Sequence, residues 1–190
     1  APLLAHIEEL RTRLIRCLLV FFAATALCYF FAPQIYAFLV APLAHAFPEG
    51  EARRMIFTNL TEAFFTYLRL AVFAGFIVSF PFLAGQLYRF MAPGLHKHEK
   101  RAMVPYLVAA PALFITGAAF VYYLIFPAAW RFFLGFETGA LDGGLPIQLE
   151  AKVSDYLSLS MHLILAFGLS FQLPVVLVLL VRTGMIDLQT

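Results

Sequence analysis

Residues 156–181 read YLSLSMHLILAFGLSFQLPVVLVLLV, a run without one Asp, Glu, Lys or Arg. A helix rises about 1.5 Å per residue, so roughly 20 apolar residues cross the ~30 Å hydrocarbon core of a bilayer. The run is too long for a strand and too apolar for a helix with one face in water, so it predicts a membrane-spanning helix. Three similar runs precede it. Residues 14–31 carry Arg16 alone, near the start, and residues 70–87 and 103–127 are uncharged.

Composition leads to the same place. Hydrophobic residues make up 63% of the chain and charged residues 13%, against about 25% charged in soluble domains. A soluble chain of 190 residues exposes too much surface to hide that apolar excess. The expected fold is therefore all-α, a polytopic integral membrane protein with about four spanning helices and 1–190 as a single transmembrane domain. Pro81, Pro111 and Pro174 fall inside the last three runs. Each removes a backbone hydrogen bond, so the helices are expected to kink and curve the bundle into a concave shape. The first run is not read as a cleaved signal peptide, because Glu8, Glu9, Arg11 and Arg13 precede it and no small-residue cleavage site follows. Cys17 and Cys28 lie in that run, about 16 Å apart on a helix. That exceeds disulfide reach, and they are read as small apolar fillers.

Basic residues set the expected orientation. The N-terminal tail, the loop 88–102 and the C-terminal end share one side and carry Arg11, Arg13, Arg16, Arg89, Lys97, Lys100, Arg101 and Arg182. On the other side Arg53, Arg54, Arg69, Arg131 and Lys152 are diluted by Glu49, Glu51, Glu62, Glu137, Asp142, Glu150 and Asp155. The N-terminus is expected in the cytoplasm, with the long loops outside. Those loops carry their own signals. Pro33 is placed to open a short helix laying Ile35, Phe38 and Leu39 against the membrane surface. Asn59 and Glu62 have capping-box spacing, so the second helix should begin before the membrane. Pro146 and the Gly143–Gly144 pair mark a turn.

Enzyme motifs are absent. There is no G-x-x-x-x-G-K-[ST] phosphate cradle, no H-E-x-x-H and no G-x-S-x-G; His96, His98 and Glu99 have the wrong spacing for that zinc site. No metal, cofactor or nucleic-acid partner is expected, and a net charge of +2 is too small to indicate nucleic acid. An intramembrane hydrolase would have only Ser158 with His162 as a nucleophile–base pair. A small-solute secondary transporter or channel is the alternative function, but it calls for inverted repeats and midplane ionisable groups; only His162 and Gln172 lie at depth. Polar groups there are costly and face protein or water. Ser158, His162, Ala166 and Ser170 form a loose small-and-polar stripe, and Ala71, Gly75 and Ser79 a packing seam. Gln172 suits either helix–helix glue or contact with a partner's helix. On the basic side the acids are Glu8, Glu9, Glu99 and Asp187. Glu9 and Glu99 suit local ion pairs or, alternatively, docking of an incoming guanidinium.

Three motifs in register resemble the TatC family, the multi-spanning subunit of the twin-arginine protein translocase. His6-Ile7-Glu8-Glu9-Leu10-Arg11-Thr12-Arg13 is similar to its opening H-x-x-E-L-R-x-R. Pro81-Phe82, Gln86, Phe90, Ala92-Pro93-Gly94-Leu95 and Glu99 resemble its cytoplasmic loop signature, and Phe167-Gly168-Leu169-Ser170-Phe171-Gln172-Leu173-Pro174-Val175 its fourth-helix motif. The family has six spanning helices, so a chain stopping after the fourth is read as truncated at the C-terminus. Tyr88 stands where many members carry tryptophan, an aromatic expected at the membrane interface. Gln172 occupies a position often held by glutamate and cannot carry a proton. The resemblance implies a non-enzymatic receptor in the cytoplasmic membrane of a prokaryote. It would recognise twin-arginine signal peptides and help move folded proteins, driven by the membrane potential. It further implies Glu9 and Glu99 as the carboxylates holding the signal's arginines, Gln172 as a contact for small single-span subunits of TatA/TatB type, and an oligomeric complex in lipid.

Overall fold

The computed structural model describes residues 2–91, 104–139 and 144–182. Among these, helices dominate and there is no strand, only the isolated bridges Ile56↔Lys152 and Thr138↔Ile147. Helix α1 runs Pro2–Phe30, α2 Ala32–Ala46, α3 Glu62–Met91 and α4 Val104–Phe120. A π-helical turn, Val121–Ile125, joins α4 to α5, Phe126–Leu134; α6 spans Val153–Ser170 and α7 Leu173–Arg182. Among the described residues four stretches are long and apolar enough to cross a membrane: Pro2–Phe30, Glu62–Phe90, Val104–Leu134 and Val153–Arg182.

Proline acts unequally. Pro81 and Pro111 sit inside unbroken helices. At Pro174 the helix breaks, because Ser170 loses the N–H that would have bonded its carbonyl. Phe171 and Gln172 form the break between α6 and α7, and α-type bonding resumes with Val176 N–H to Gln172 O at 2.9 Å. The π turn is a feature no residue pattern announced. It precedes Pro127, which has no N–H for the Tyr123 carbonyl, and Phe126 N–H reaches back to Val121 O instead.

Two cores hold the bundle. One gathers Leu39, Leu43, Leu70, Phe126, Trp130 and Leu157 where α2, α3, α5 and α6 meet. The other gathers Phe80, Ala84, Tyr88, Phe114, Val175 and Leu179 from α3, α4 and α7. Tyr88 is therefore a core residue, 3% exposed, packed in the cluster that α3 forms with α4 and α7. In α2, which carries Pro33 in its first turn, Leu39 is buried at 2%, and of the three residues expected at the membrane surface only Phe38 is exposed. Leu39 points inward because the helix lies on the bundle, its carbonyl accepting from Tyr156 Oη at 2.7 Å. Helix α1 buries Cys28 alone and leaves Leu18, Leu19, Phe22 and Leu27 exposed. That apolar exterior would be costly in water, at about 25 cal/mol per Å², and is at home in lipid.

Glycine sets how closely the helices approach. A Cβ on Gly75 would fall 2.8 Å from Thr25 Cα on α1, and one on Gly117 would fall 2.7 Å from the Phe167 carbonyl oxygen on α6. The Gly75 seam is thus a packing seam, as its spacing suggested.

Candidate functional site

The tail motif and the start of the loop motif meet in space. Helix α1 begins at Pro2, so the tail continues the first spanning helix as one rod. Glu9 and Arg13 are one turn apart on it, and Arg13 Nε donates to Glu9 Oε1 at 2.9 Å. Arg13 Nη1 donates to Gln86 Oε1 of α3 at 2.8 Å. Gln86 is buried, so the guanidinium bridges a fixed amide and the carboxylate. One turn back, His6 stacks on Phe90 of α3, centroids 4.3 Å apart, and its Nδ1 lies 3.9 Å from Glu9 Oε2. Glu9 keeps 37% of its side chain exposed. The result is a held carboxylate with one oxygen engaged and one open to a further donor.

Sequence reasoning singled out Glu9 but not Arg13 or Gln86 as its supports. The signal was present, since all three lie in the two motifs, but their contact joins residues 73 apart. Glu99, His96 and His98 lie outside the described residues.

Gln172 sits at the α6–α7 break and is 7% exposed. Its Nε2 donates to the Ala110 carbonyl of α4 at 2.8 Å, while Oε1 is buried without a hydrogen-bond partner among the described residues. The side chain therefore has an internal partner that the sequence did not reveal, and one unsatisfied acceptor. His162 is exposed, with Nδ1 2.6 Å from the Ser158 carbonyl. At that distance Nδ1 carries the proton, so it cannot serve as base for the Ser158 hydroxyl beside it. Ser170 likewise bonds back to Ala166 O at 2.6 Å. Among the described residues no cluster of three or more metal-ligating side chains occurs.

The opposite end carries a polar staple that sequence reasoning treated only as scattered charge. Arg53 forks onto both oxygens of Glu137, 84 residues away, with Nη2 to Oε2 at 2.9 Å, and also holds Glu51 through Nε at 2.8 Å. The Leu149 N–H donates to Glu137 at 2.8 Å. Those donors, the Arg53 guanidinium first, hold the Glu137 carboxyl below its ordinary value. Glu62 completes the tie. Its carboxylate reaches back to the N–H groups of Thr58 (2.9 Å) and Asn59 (3.3 Å), as the capping-box spacing suggested. It also accepts from Ser154 N–H at the start of α6, at 3.4 Å.

A profile of the Sec-independent protein translocase protein (TatC) family matches residues 5–190. The chain belongs to the TatC family. The TatC of Rickettsia prowazekii is 44% identical over 186 residues, covering 97% of this chain and 72% of that protein. The TatC of Magnetococcus marinus is 42% identical over 187 residues, covering 98% and 66%, and that of Escherichia coli 38% over 183 residues, covering 96% and 68%. A crystal structure of the twin arginine translocase receptor TatC superimposes with a TM-score of 0.80 at 34% identity, covering 96% of this chain and 78% of that one. The chain thus spans about two thirds to three quarters of the curated TatC proteins it matches. As a TatC protein it is a membrane component of a protein translocase, a transport protein and not an enzyme.

Proposed function

We propose that this TatC protein is the receptor for twin-arginine signal peptides, docking them at a site formed by Glu9 and Glu99 on its cytoplasmic face. It helps move folded proteins across the cytoplasmic (inner) membrane of a prokaryote, driven by the membrane potential. The observation that carries the reading is the held carboxylate of Glu9, oriented by Arg13 and Gln86 with an oxygen left for an incoming fork. A guanidinium matches a carboxylate with two parallel bonds, which an ammonium cannot do. The N-terminus lies in the cytoplasm in this reading, supported by the basic residues of the tail and of the loop 88–102. Cysteine placed at Glu51, in a background lacking Cys17 and Cys28, should label from outside in intact cells; labelling only after permeabilisation would reverse the topology. The small single-span TatA/TatB-type subunits contact the α6–α7 break at Gln172, where Oε1 is buried and has no partner among the described residues.

The test is signal-peptide affinity in nanodiscs for Glu9→Gln, Glu99→Gln and the double change, with helicity checked by circular dichroism. Charge-assisted hydrogen bonds contribute about 1.5–3 kcal/mol, so each single change should weaken binding roughly ten- to a hundredfold. A twin-lysine peptide should bind less well than the twin-arginine one. Unchanged affinity in the folded double variant refutes the site, and an equal loss for Glu8→Gln reduces it to diffuse attraction.

A further inference from the structure

Two clefts at the end of the bundle away from the N-terminus share the walls Tyr122 and Tyr123. The larger one, about 430 Å³, is lined almost wholly by apolar side chains, among them Phe38, Phe73, Ile77, Ile115 and Ala119. The outer one, about 350 Å³, adds His45 and Arg131. Tyr123, Pro127 and Arg131 are four residues apart and lie on one face, while Phe38 and His45 are two turns apart on α2. The corridor therefore runs along both elements. From Ile115 to Arg131 it rises about 24 Å, the depth of one ~15 Å leaflet plus a headgroup.

The π turn lies in the wall. Tyr122 and Tyr123 both belong to it, and such turns are frequent at functional sites. Tyr122 is locked by its Oη bond to Phe38 O at 2.7 Å and by stacking on the Phe38 ring at 4.4 Å. Tyr123, two-thirds exposed, has the apolar body and polar tip that suit the membrane–water boundary. Charge supplies the polarity of the occupant. Arg131 makes no ion pair among the described residues, and Glu137 and Glu51 at this end are held by Arg53. His45 donates its Nδ1–H to the Ala41 carbonyl at 2.7 Å, leaving Nε2 to accept from a hydroxyl.

We propose that this corridor binds one anionic phospholipid, its acyl chain in the apolar cleft, its phosphate on Arg131 and a headgroup hydroxyl on His45. The lipid would wedge between α2 and the α4–α5 segment and brace that end of the bundle. The site is independent of signal docking at Glu9 and Glu99, so either stands if the other fails.

The test is native mass spectrometry of the full-length protein in detergent, titrated with dioleoylphosphatidylglycerol or dioleoylphosphatidylcholine. Arg131→Gln should weaken retention of the phosphatidylglycerol about tenfold, the loss expected for one charge-assisted contact, with little change for the zwitterionic lipid. Ala119→Trp, which fills the apolar cleft, should weaken both lipids. Arg54→Gln, an exposed cation outside the corridor, should change neither. Unchanged phosphatidylglycerol binding in folded Arg131→Gln and Ala119→Trp overturns the proposal, and so does an equal loss in Arg54→Gln. A photoreactive residue at 119 should capture lipid in membranes; capture of a protein there would assign the cleft to a partner's helix and overturn it.

Discussion

Replacing Gly117 by Ala tests the helix packing, because the sign of its effect depends on one contact. In a helix interior Gly→Ala ordinarily stabilises by about 0.5–1 kcal/mol, by removing backbone freedom from the unfolded chain. At Gly117 the new Cβ would lie 2.7 Å from the Phe167 carbonyl oxygen, 3.0 Å from its carbon and 3.1 Å from Gly168 Cα. All three are backbone atoms, so no side chain can rotate away. Contact optima lie near 3.5–4.0 Å, so α4 and α6 must part by roughly 0.5–1 Å. Overpacking of this kind costs about 1–3 kcal/mol, leaving a net loss of about 1–2 kcal/mol. Gly85 supplies the control on the same chain. Among the described residues its new Cβ would meet only Leu107 Cδ2, at 3.8 Å, so Gly85→Ala should stabilise. At Gly168 the obstacle is the buried Phe114 ring, 2.8 Å away and packed on Phe80 at 4.6 Å. Gly168→Ala should therefore destabilise and be partly rescued by Phe114→Leu, whereas Gly117→Ala should gain nothing from that change. Unfolding midpoints in detergent, followed by helicity and by scanning fluorimetry, measure all four. A Gly117→Ala variant as stable as the parent, or shifted in the same direction as Gly85→Ala, refutes the close approach of α4 and α6.

Two further outcomes follow from polar contacts. Glu137 has a depressed carboxyl value because Arg53 and the Leu149 N–H favour its charged form, so its contribution is complete above the unfolded value of about 4.3 and fades as pH falls through the lower folded value. Hydrogen exchange at Leu149 and across the Thr138–Ile147 bridge, corrected for intrinsic rates, should accelerate in acid, and Glu137→Gln should remove that pH dependence; a dependence surviving the substitution points elsewhere. At Gln172, a photo-crosslinker in native membranes should capture a small single-span translocase component at the α6–α7 break, and capture of lipid alone, with the partner caught on another face, removes the contact.

Local chemistry made much of this protein legible before any tertiary contact was known. Long uncharged runs demand helix in lipid because unpaired backbone groups cannot be tolerated there, so the all-α class and the four apolar helices followed from residues such as 156–181. Glu9 stood out as an acid beside basic neighbours, and Glu62 announced its cap through its three-residue spacing from Asn59. Other features depend on which helices come together, and sequence neighbours carry no trace of that. Tyr88 carries no sign in the sequence that α4 and α7 pack around it, and Leu39 looks membrane-facing until α2 lies on the bundle. Gln172 looks unpartnered until α4 presents the Ala110 carbonyl. Arg53 with Glu137, and Arg13 with Gln86, join residues tens of positions apart. A charged side chain's local pattern says that it needs a partner, but only the packed helices decide which one is within 3 Å.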